Sequence, residues 1–314
     1  MSPSQIAGAT CQATFPVRDY DLAATLDSGQ AFRWEFQDDR WHGIIGHHAV
    51  ELRQNESCLI AETPEPVADW HWLKHYLQLD LNLNSVLATF PDDEPMRGAV
   101  NACRGLRLLR QDPWECLASF ILSSTKQIVQ IRQIVALLCE RFGEPVVGTR
   151  STASPSSPEK SGTRWNASLP TSEAHPLSHS FPTPEKIAAL TEAELRACKM
   201  GFRAPNLLNA ARQIAKGKLD LERLRQLSCA EAREELMTLR GVGGKIADCV
   251  LLFAYGFDGA FPVDVWVERA LQRLYFPRRR ASEKRLRRFA ATHFGPRAGY
   301  AQQYLFHYMR TKMK

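Results

Sequence analysis

No Cys-x-x-Cys pair occurs in this 314-residue chain, nor any other zinc-holding spacing, although eight cysteines stand at 11, 58, 103, 116, 139, 198, 229 and 249. That scatter reads as reduced, mostly buried thiols of an intracellular protein, not as a disulfide framework. No apolar run approaches the roughly 18 residues of a membrane span. The opening Met1-Ser2-Pro3-Ser4-Gln5 has no charged stretch followed by an apolar core, so no secretory signal is expected. Positive charge is scarce in residues 1–100, where six Lys and Arg face fifteen Asp and Glu. The remainder reverses this, thirty-four against nineteen, within a net formal charge of +6. A surface for a polyanion therefore belongs mainly to residues 101–314. The length suffices for two domains and a sizeable core, and a hydrophobic content of 44% is that of an ordinary globular chain.

From about Ala13 to Ile60 the pattern is one of short period-two segments broken by turns. Ala31–Phe36, Trp41–Gly46, Ala49–Arg53 and Ser57–Ile60 alternate, with Asp38-Asp39 and Gln54-Asn55 as turn signals. An antiparallel sheet follows from this, with helices packing on it. Val67–Leu77 reads as a helix, and its tryptophans at 70 and 72 read as core. Residues 92–146 read as helical: Met96–Leu109 has apolar residues at helical spacing, and Asp112 with Pro113 caps and opens a further helix. Residues 148–182 are rich in Ser, Thr, Pro and charge without periodicity, and read as a flexible insertion. Helices resume over Pro184–Met200, where Thr191-Glu192-Ala193-Glu194 forms a capping box, then over Ala204–Lys216, Cys229–Leu239 and Gly299–Lys312.

Chemistry concentrates between Leu239 and Val265. Leu239-Arg240-Gly241-Val242-Gly243-Gly244-Lys245 reads as a tight hairpin between two helices, with glycines that admit positive φ and close backbone approach. Amides at the start of a helix make an anion site. Lys245 falls in the first helical turn, where a cation opposes the helix dipole. Desolvation and the positive dipole end both favour the neutral amine, which is the nucleophilic form. Nineteen positions on, Asp264 is placed to cap a helix over Val265–Tyr275. On the residues alone two readings stand. Lys245 and Asp264 are a catalytic pair, or Lys245 is a phosphate contact and Asp264 a plain N-cap, with the hairpin gripping a DNA backbone.

The run Leu239–Gly243 with Lys245, Ala247-Asp248-Cys249 and Pro262-Val263-Asp264-Val265 resembles the helix-hairpin-helix and Gly/Pro–Asp signature of a DNA glycosylase superfamily. More narrowly, the chain resembles the 8-oxoguanine DNA glycosylase/AP lyase family. The iron–sulfur cysteine cluster of many endonuclease III-type relatives is absent. Leu26-Asp27-Ser28-Gly29-Gln30-Ala31-Phe32-Arg33-Trp34 is similar to the family's Ser-Gly-Gln-x-Phe-Arg-Trp element, in which the glycine carbonyl meets the N7–H that oxidised guanine has and guanine lacks. By that match the residue is Gly29. A buried acceptor facing a lone pair instead of a donor discriminates by several kcal/mol. Read alone, Gly29 is a turn glycine at a strand start.

The resemblance implies an α+β fold: an N-terminal antiparallel β-sheet domain with helices over 1–112, then an all-α helix-hairpin-helix glycosylase domain over 113–314. It makes Lys245 the nucleophile and Asp264 its electrostatic partner. It implies a base pocket of Gly29, Cys249, Gln302 and Phe306, the last two sharing one helical face, with Gln302 bonding the Watson–Crick edge and Phe306 stacking on the base. It places Phe202 as a wedge beside the opposite base and Arg203 as a hydrogen-bond donor to it, within Gly201-Phe202-Arg203-Ala204. Gly241 and Gly243 would grip phosphate through their amides. The chain departs from the family at Thr125, where asparagine is usual, at Gln130, where arginine often reads the opposite cytosine, at Arg240, where proline is frequent, and at Trp266, where histidine commonly stands near a phosphate. The first two departures bear on preference for opposite cytosine and leave the chemistry intact. Without the family, Cys249 is a small buried thiol, Phe202 and Phe306 are core, and Arg203 is a surface charge. The basic run Arg278-Arg279-Arg280, Lys284-Arg285, Arg287-Arg288 supports DNA binding or forms a solvated helix face. The implied partner is double-stranded DNA bearing oxidised guanine, with no membrane, no cofactor and no catalytic metal, and the protein is expected to be a monomer. The expected compartment is the cytoplasm and nucleoid of a bacterium or the nucleus of a eukaryote. Two other readings remain: a related lysine-bearing glycosylase for another damaged base, and a non-catalytic hairpin module that binds DNA.

Overall fold

A computed structural model describes residues 10–146, 178–278 and 280–311 of the chain. The expected insertion lies outside these residues up to position 177. Alternation in the first part builds five antiparallel strands, β1 (Cys11–Pro16), β2 (Trp34–Gln37), β3 (Arg40–Ile45), β4 (His48–Gln54) and β5 (Cys58–Thr63), in spatial order β1-β5-β4-β3-β2. The β2–β3 turn is made by Asp38 and Asp39, both at positive φ (51° and 60°), the twist that a two-residue hairpin demands. Gly43 of β3 pairs with Trp34 of β2, and a Cβ there would come within 2.4 Å of the indole. The glycine lets Trp34 lie flat and buried across the sheet, where its Nε1 donates to the Tyr76 hydroxyl at 2.9 Å. Residues 31–33, expected as strand, precede β2 as bends.

The sheet is accompanied by α1 (Leu22–Asp27), α2 (His71–Leu77), α3 (Leu83–Leu87) and α4 (Glu94–Ala102). Helix α2 is shorter than the expected 67–77, because the chain turns at Asp69 and Trp70, and Asp69 Oδ1 accepts from His71 N. A second correction concerns Met96–Leu109. Helix stops at Ala102, and residues 103–112 run on as an irregular, largely buried strap. Gly105 sits at φ +96°, and a Cβ on it would lie 2.7 Å from the Asp21 amide, so the chain here is pressed against the start of α1. The apolar spacing is that of a helix, but Leu106, Leu108 and Leu109 are buried from a strap whose backbone finds its partners far away in sequence.

After the strap, α5 (Pro113–Leu122) begins as expected, with Asp112 Oδ1 accepting from Glu115 N at 2.8 Å. Every residue of α5 is buried except Glu115, which pairs with the buried Arg33. The remaining helices gather about it: α6 (Ile128–Phe142), α7 (Pro184–Ala188), α8 (Glu192–Ala197), α9 (Ala204–Ala215), α10 (Cys229–Met237), α11 (Gly244–Val250), α12 (Val265–Tyr275), α13 (Glu283–His293) and α14 (Ala298–Thr311). The expected helix over 184–200 is therefore two, the capping box at Thr191 opening the second. Directly after α11 the backbone widens into a π-turn over Leu251–Tyr255, closed by Gly256 at φ +77°. No helix among the described residues is long and apolar enough to cross a membrane.

The sheet and the helical body are joined by polar groups with no exposure. Gln30 is fully buried; its Nε2 donates to Thr25 O and Arg107 O, both at 2.8 Å, and its Oε1 accepts from Leu109 N at 2.8 Å. From the other side Tyr300 Oη accepts from Leu108 N, Tyr304 donates to Leu106 O, and Gln303 Nε2 donates to Ser28 O. Replacing Gln30 with Ala strands several buried backbone groups at once. The expected loss is about 3 kcal/mol or more of unfolding free energy, measured by urea denaturation of the two proteins at one temperature.

Candidate active site

The hairpin closes as its glycines require. Gly241 stands at φ +81°, and a Cβ there would collide with the Asn206 side chain 2.2 Å away. Gly244 admits the Arg233 guanidinium, which would lie 2.1 Å from a Cβ and whose Nε donates to the buried Asp248 carboxylate at 2.7 Å. Gly243 differs: its φ of −97° is ordinary, and a Cβ on it would meet nothing within 4 Å. The protein itself has no need of glycine there, and the space belongs to whatever approaches from outside.

Lys245, in the first turn of α11, reaches across to the end of α5. Its Nζ donates to Ser123 Oγ at 3.1 Å and lies 5.3 Å from the Phe120 ring centroid, a cation–π distance. Ser123 spends its own proton on Phe120 O at 2.7 Å, so its oxygen is left to accept from the lysine. Asp264 caps α12 as expected, with one oxygen, Oδ1, accepting from both Trp266 N (3.0 Å) and Val267 N (2.8 Å). Burial raises its carboxyl above the ordinary carboxylate range, against the lowering effects of the Val267 amide and of the Lys245 charge. Cys249, one turn after Lys245, is buried; burial pushes its thiol up to about 12, with Lys245 and Asp264 as the nearby charges.

The first part of the chain meets this centre at a turn. Gly29, at φ +76°, leaves no room for a side chain: a Cβ would lie 2.8 Å from Ile128 Cδ1 and 3.4 Å from Phe306 Cε1. Arg310 stands over the Phe306 ring at 5.4 Å and donates to Asp27 O, and its charge also acts on Asp264. Gly29, Phe306, Arg310, Asp264 and Lys245 thus form one connected neighbourhood. One turn before Phe306, Gln302 is buried with its Oε1 lacking any hydrogen-bond partner. An orphaned buried acceptor costs about 1–3 kcal/mol, a cost that a donor on a bound ligand removes.

The residues expected at the opposite base are placed less uniformly. Phe202 is 58% exposed, in keeping with a wedge and at odds with the core alternative. Trp266 is partly exposed beneath Arg269, whose guanidinium carbon is 5.3 Å from its ring. Gln130 is exposed, and its Oε1 accepts from Gln127 N at the start of α6. Thr125 has φ +57°, a left-handed conformation that asparagine tolerates and a β-branched residue adopts with strain. Arg203 is not a surface charge: it is 3% exposed, and its guanidinium bonds back to the protein. Sequence reasoning assigned no role to Ser123 and did not find the Arg233–Asp248 pair. Both are long-range meetings without a local signal. Among the described residues no group of three or more His, Cys, Asp or Glu is arranged to hold a metal ion.

A sheet packed on a helical body, with a glycine hairpin, a lysine in the helix behind it and an aspartate capping the next helix, defines a helix-hairpin-helix DNA glycosylase. Residues 118–296 match the model of the HhH-GPD superfamily base excision DNA repair proteins, and residues 13–117 match the 8-oxoguanine DNA glycosylase N-terminal domain. The chain is 32% identical to an N-glycosylase/DNA lyase of Saccharomyces cerevisiae over 283 residues, covering 81% of this chain and 68% of that protein. It is 27% identical to a probable N-glycosylase/DNA lyase of Methanothermobacter thermautotrophicus over 324 residues, covering 94% and 95%. The Clostridium acetobutylicum 8-oxoguanine glycosylase/lyase, solved with double-stranded DNA containing cytosine opposite 8-oxoguanine, superposes with a TM-score of 0.80 at 29% identity, covering 96% of this chain and 99% of that one. The chain belongs to the 8-oxoguanine DNA glycosylase family.

Asp264 yields a prediction with opposite signs for stability and activity. Its raised folded-state pKa means that the folded protein binds this proton more tightly than the unfolded chain does. Stability from this group is therefore present at low pH and is lost as pH rises from the ordinary carboxylate value, about 3.9, through the raised one. Asparagine keeps the cap and removes the charge. Asp264→Asn is expected to melt at the same or a higher temperature than the wild type at neutral pH, the difference closing below about pH 4. Turnover on lesion DNA should fall about 10²–10³-fold. Melting curves across pH and single-turnover rates check both signs.

Proposed function

We propose that this protein is a bifunctional DNA glycosylase/AP lyase that removes 8-oxoguanine from duplex DNA in base excision repair. The observation that carries the reading is the junction of Gly29 with Phe306. It sets a turn of the sheet-bearing part against the α14 face that also bears Gln302, beside Asp264 and Lys245. The sheet-bearing residues 1–112 then form one functional unit and residues 113–314 the other, with the pocket between them.

The damaged nucleotide leaves the stack and enters that pocket. Phe306 stacks on the base, Gln302 offers its unpartnered Oε1 to a donor on the Watson–Crick edge, and the Gly29 backbone meets the N7–H of the oxidised base. Lys245 in its neutral form attacks the sugar C1′. The bond from C1′ to the base breaks, and its electron pair leaves with the base, which takes up a proton. The new C1′–N bond becomes an imine as the amine loses its protons and the sugar ring opens. Loss of a C2′ proton then expels the 3′ phosphate, which nicks the strand. Asp264 offsets the positive charge that develops on the sugar, and its burial strengthens that effect. The amides of Gly241, Gly243 and Lys245 hold a phosphate at the helix start. The work of such an enzyme lies inside the cell, in the nucleoid of a bacterium or the nucleus of a eukaryote.

The test is incubation with duplexes carrying one 8-oxoguanine opposite each base in turn, with borohydride present. A trapped covalent complex is expected in the wild type and none in Lys245→Gln. Trapping that survives Lys245→Gln would sink the assignment of the nucleophile, and excision of a different base alone would move the enzyme to another specificity.

A further inference from the structure

The resemblance assigns Arg203 to the opposite base, yet its side chain is turned inward and committed. Nε donates to Ser124 O at 2.8 Å, Nη2 to the same carbonyl and to Thr125 Oγ1 at 2.6 Å, and Nη1 to Met200 O at 3.2 Å. Only 3% of the residue is exposed, and the guanidinium lies 4.2 Å from the Phe202 ring centroid, under the exposed phenyl. The segment it holds is the strained one. Thr125 at φ +57° sits one residue beyond Ser124 and two beyond Ser123, whose hydroxyl accepts the only hydrogen bond that Lys245 Nζ donates among the described residues. Left-handed backbone at a β-branched residue costs on the order of 1–3 kcal/mol and persists only where neighbours over-determine it. Arg203 is the neighbour that does so here. Two carbonyls and one hydroxyl on a planar fork fix the turn in a way a single point donor cannot.

We infer that Arg203 is a positioning residue for the nucleophile, acting through the Ser123–Ser124–Thr125 turn, and that it is not a direct reader of the opposite base. The inference rests on the proposed function in taking Lys245 as the attacking group. Its content is separate: the turn that flanks the opposite strand is the turn that holds the amine. Loosening Arg203 therefore frees Ser123, and Lys245 loses its fixed approach to C1′. Misplacement of a reacting group by about 1 Å costs up to about 10²-fold in rate. The loss should be the same whichever base lies opposite, because no contact to that base is removed.

The experiment measures single-turnover excision, borohydride trapping and DNA affinity on duplexes with 8-oxoguanine opposite cytosine and opposite adenine. It uses wild type, R203A, R203K, S123A and R203A/S123A. R203A is expected to slow excision by about tenfold to hundredfold, equally on both duplexes, with DNA affinity unchanged. The double variant should be no slower than the slower single one, because both act through one contact. In S123A and R203A alike the pH midpoint of trapping should move down, since an amine that has lost an acceptor holds its proton less tightly. A merely structural loss lowers the amount of active enzyme and leaves that midpoint in place. If R203A does not fold, R203K, which keeps the charge and loses the fork, should show the same base-independent slowing at smaller size. A loss confined to opposite cytosine, or multiplying effects in the double variant, would overturn the inference while the wild type still traps. A wild type that traps on no duplex would overturn the proposed function and this inference with it.

Discussion

The structure depends on a buried amide. Gln30 has no exposure, yet it ties the turn that carries Gly29 to the strap at Arg107 and Leu109. The strap is in turn held by Tyr300 and Tyr304 of α14. Hydrogen bonds of this kind are worth little each when made and much when left unmade. The consequence is geometric. A small sheet and a helical body bearing opposite charge meet through directional contacts, and the angle between them is fixed where a base pocket needs it fixed. A purely apolar interface would hold the two parts together with less definition of register.

Around that junction the charges are arranged against stability. Asp264 is buried beside Lys245, and Asp248 is buried with Arg233 and Arg287 near it. Burial raises both carboxyls, which records desolvation that their partners offset only in part. The two differ in what they serve. Asp248 joins α10 and α13 to the helix that carries Lys245, so its charge is structural. Asp264 needs only one oxygen for its cap, and the rest of its carboxylate faces the lysine's charge.

Much of the fold was legible because its signals are local. The Asp38-Asp39 turn, the caps at Asp112, Thr191 and Asp264 and the hairpin glycines each act within four residues of themselves. The strap was misread because apolar spacing near 96–109 matches a helix. What decides otherwise is the fit of Gly105 against Asp21 and hydrogen bonds to residues up to 192 positions away. The catalytic pair Lys245 and Asp264 could be named from sequence, since each sits beside a glycine or proline motif. Ser123 could not, because nothing about a serine at the end of a buried helix announces a lysine 122 positions later. Arg203 was misjudged on the residues alone for a related reason. Arginine is seldom fully buried, and its commitment to Ser124 becomes visible only when the turn at Thr125 is folded.

The hairpin separates two kinds of glycine, and this has a consequence for how the chain tolerates change. Gly241 and Gly244 are held by the protein's own packing, against Asn206 and Arg233, so any selection for a folded chain retains them. Gly243 has open space before it and an ordinary backbone. A population screened for heat resistance alone has no reason to keep glycine at 243, whereas one screened for growth under oxidative damage does. The positions that drift in the first population and stay fixed in the second would trace the footprint of the nucleic acid.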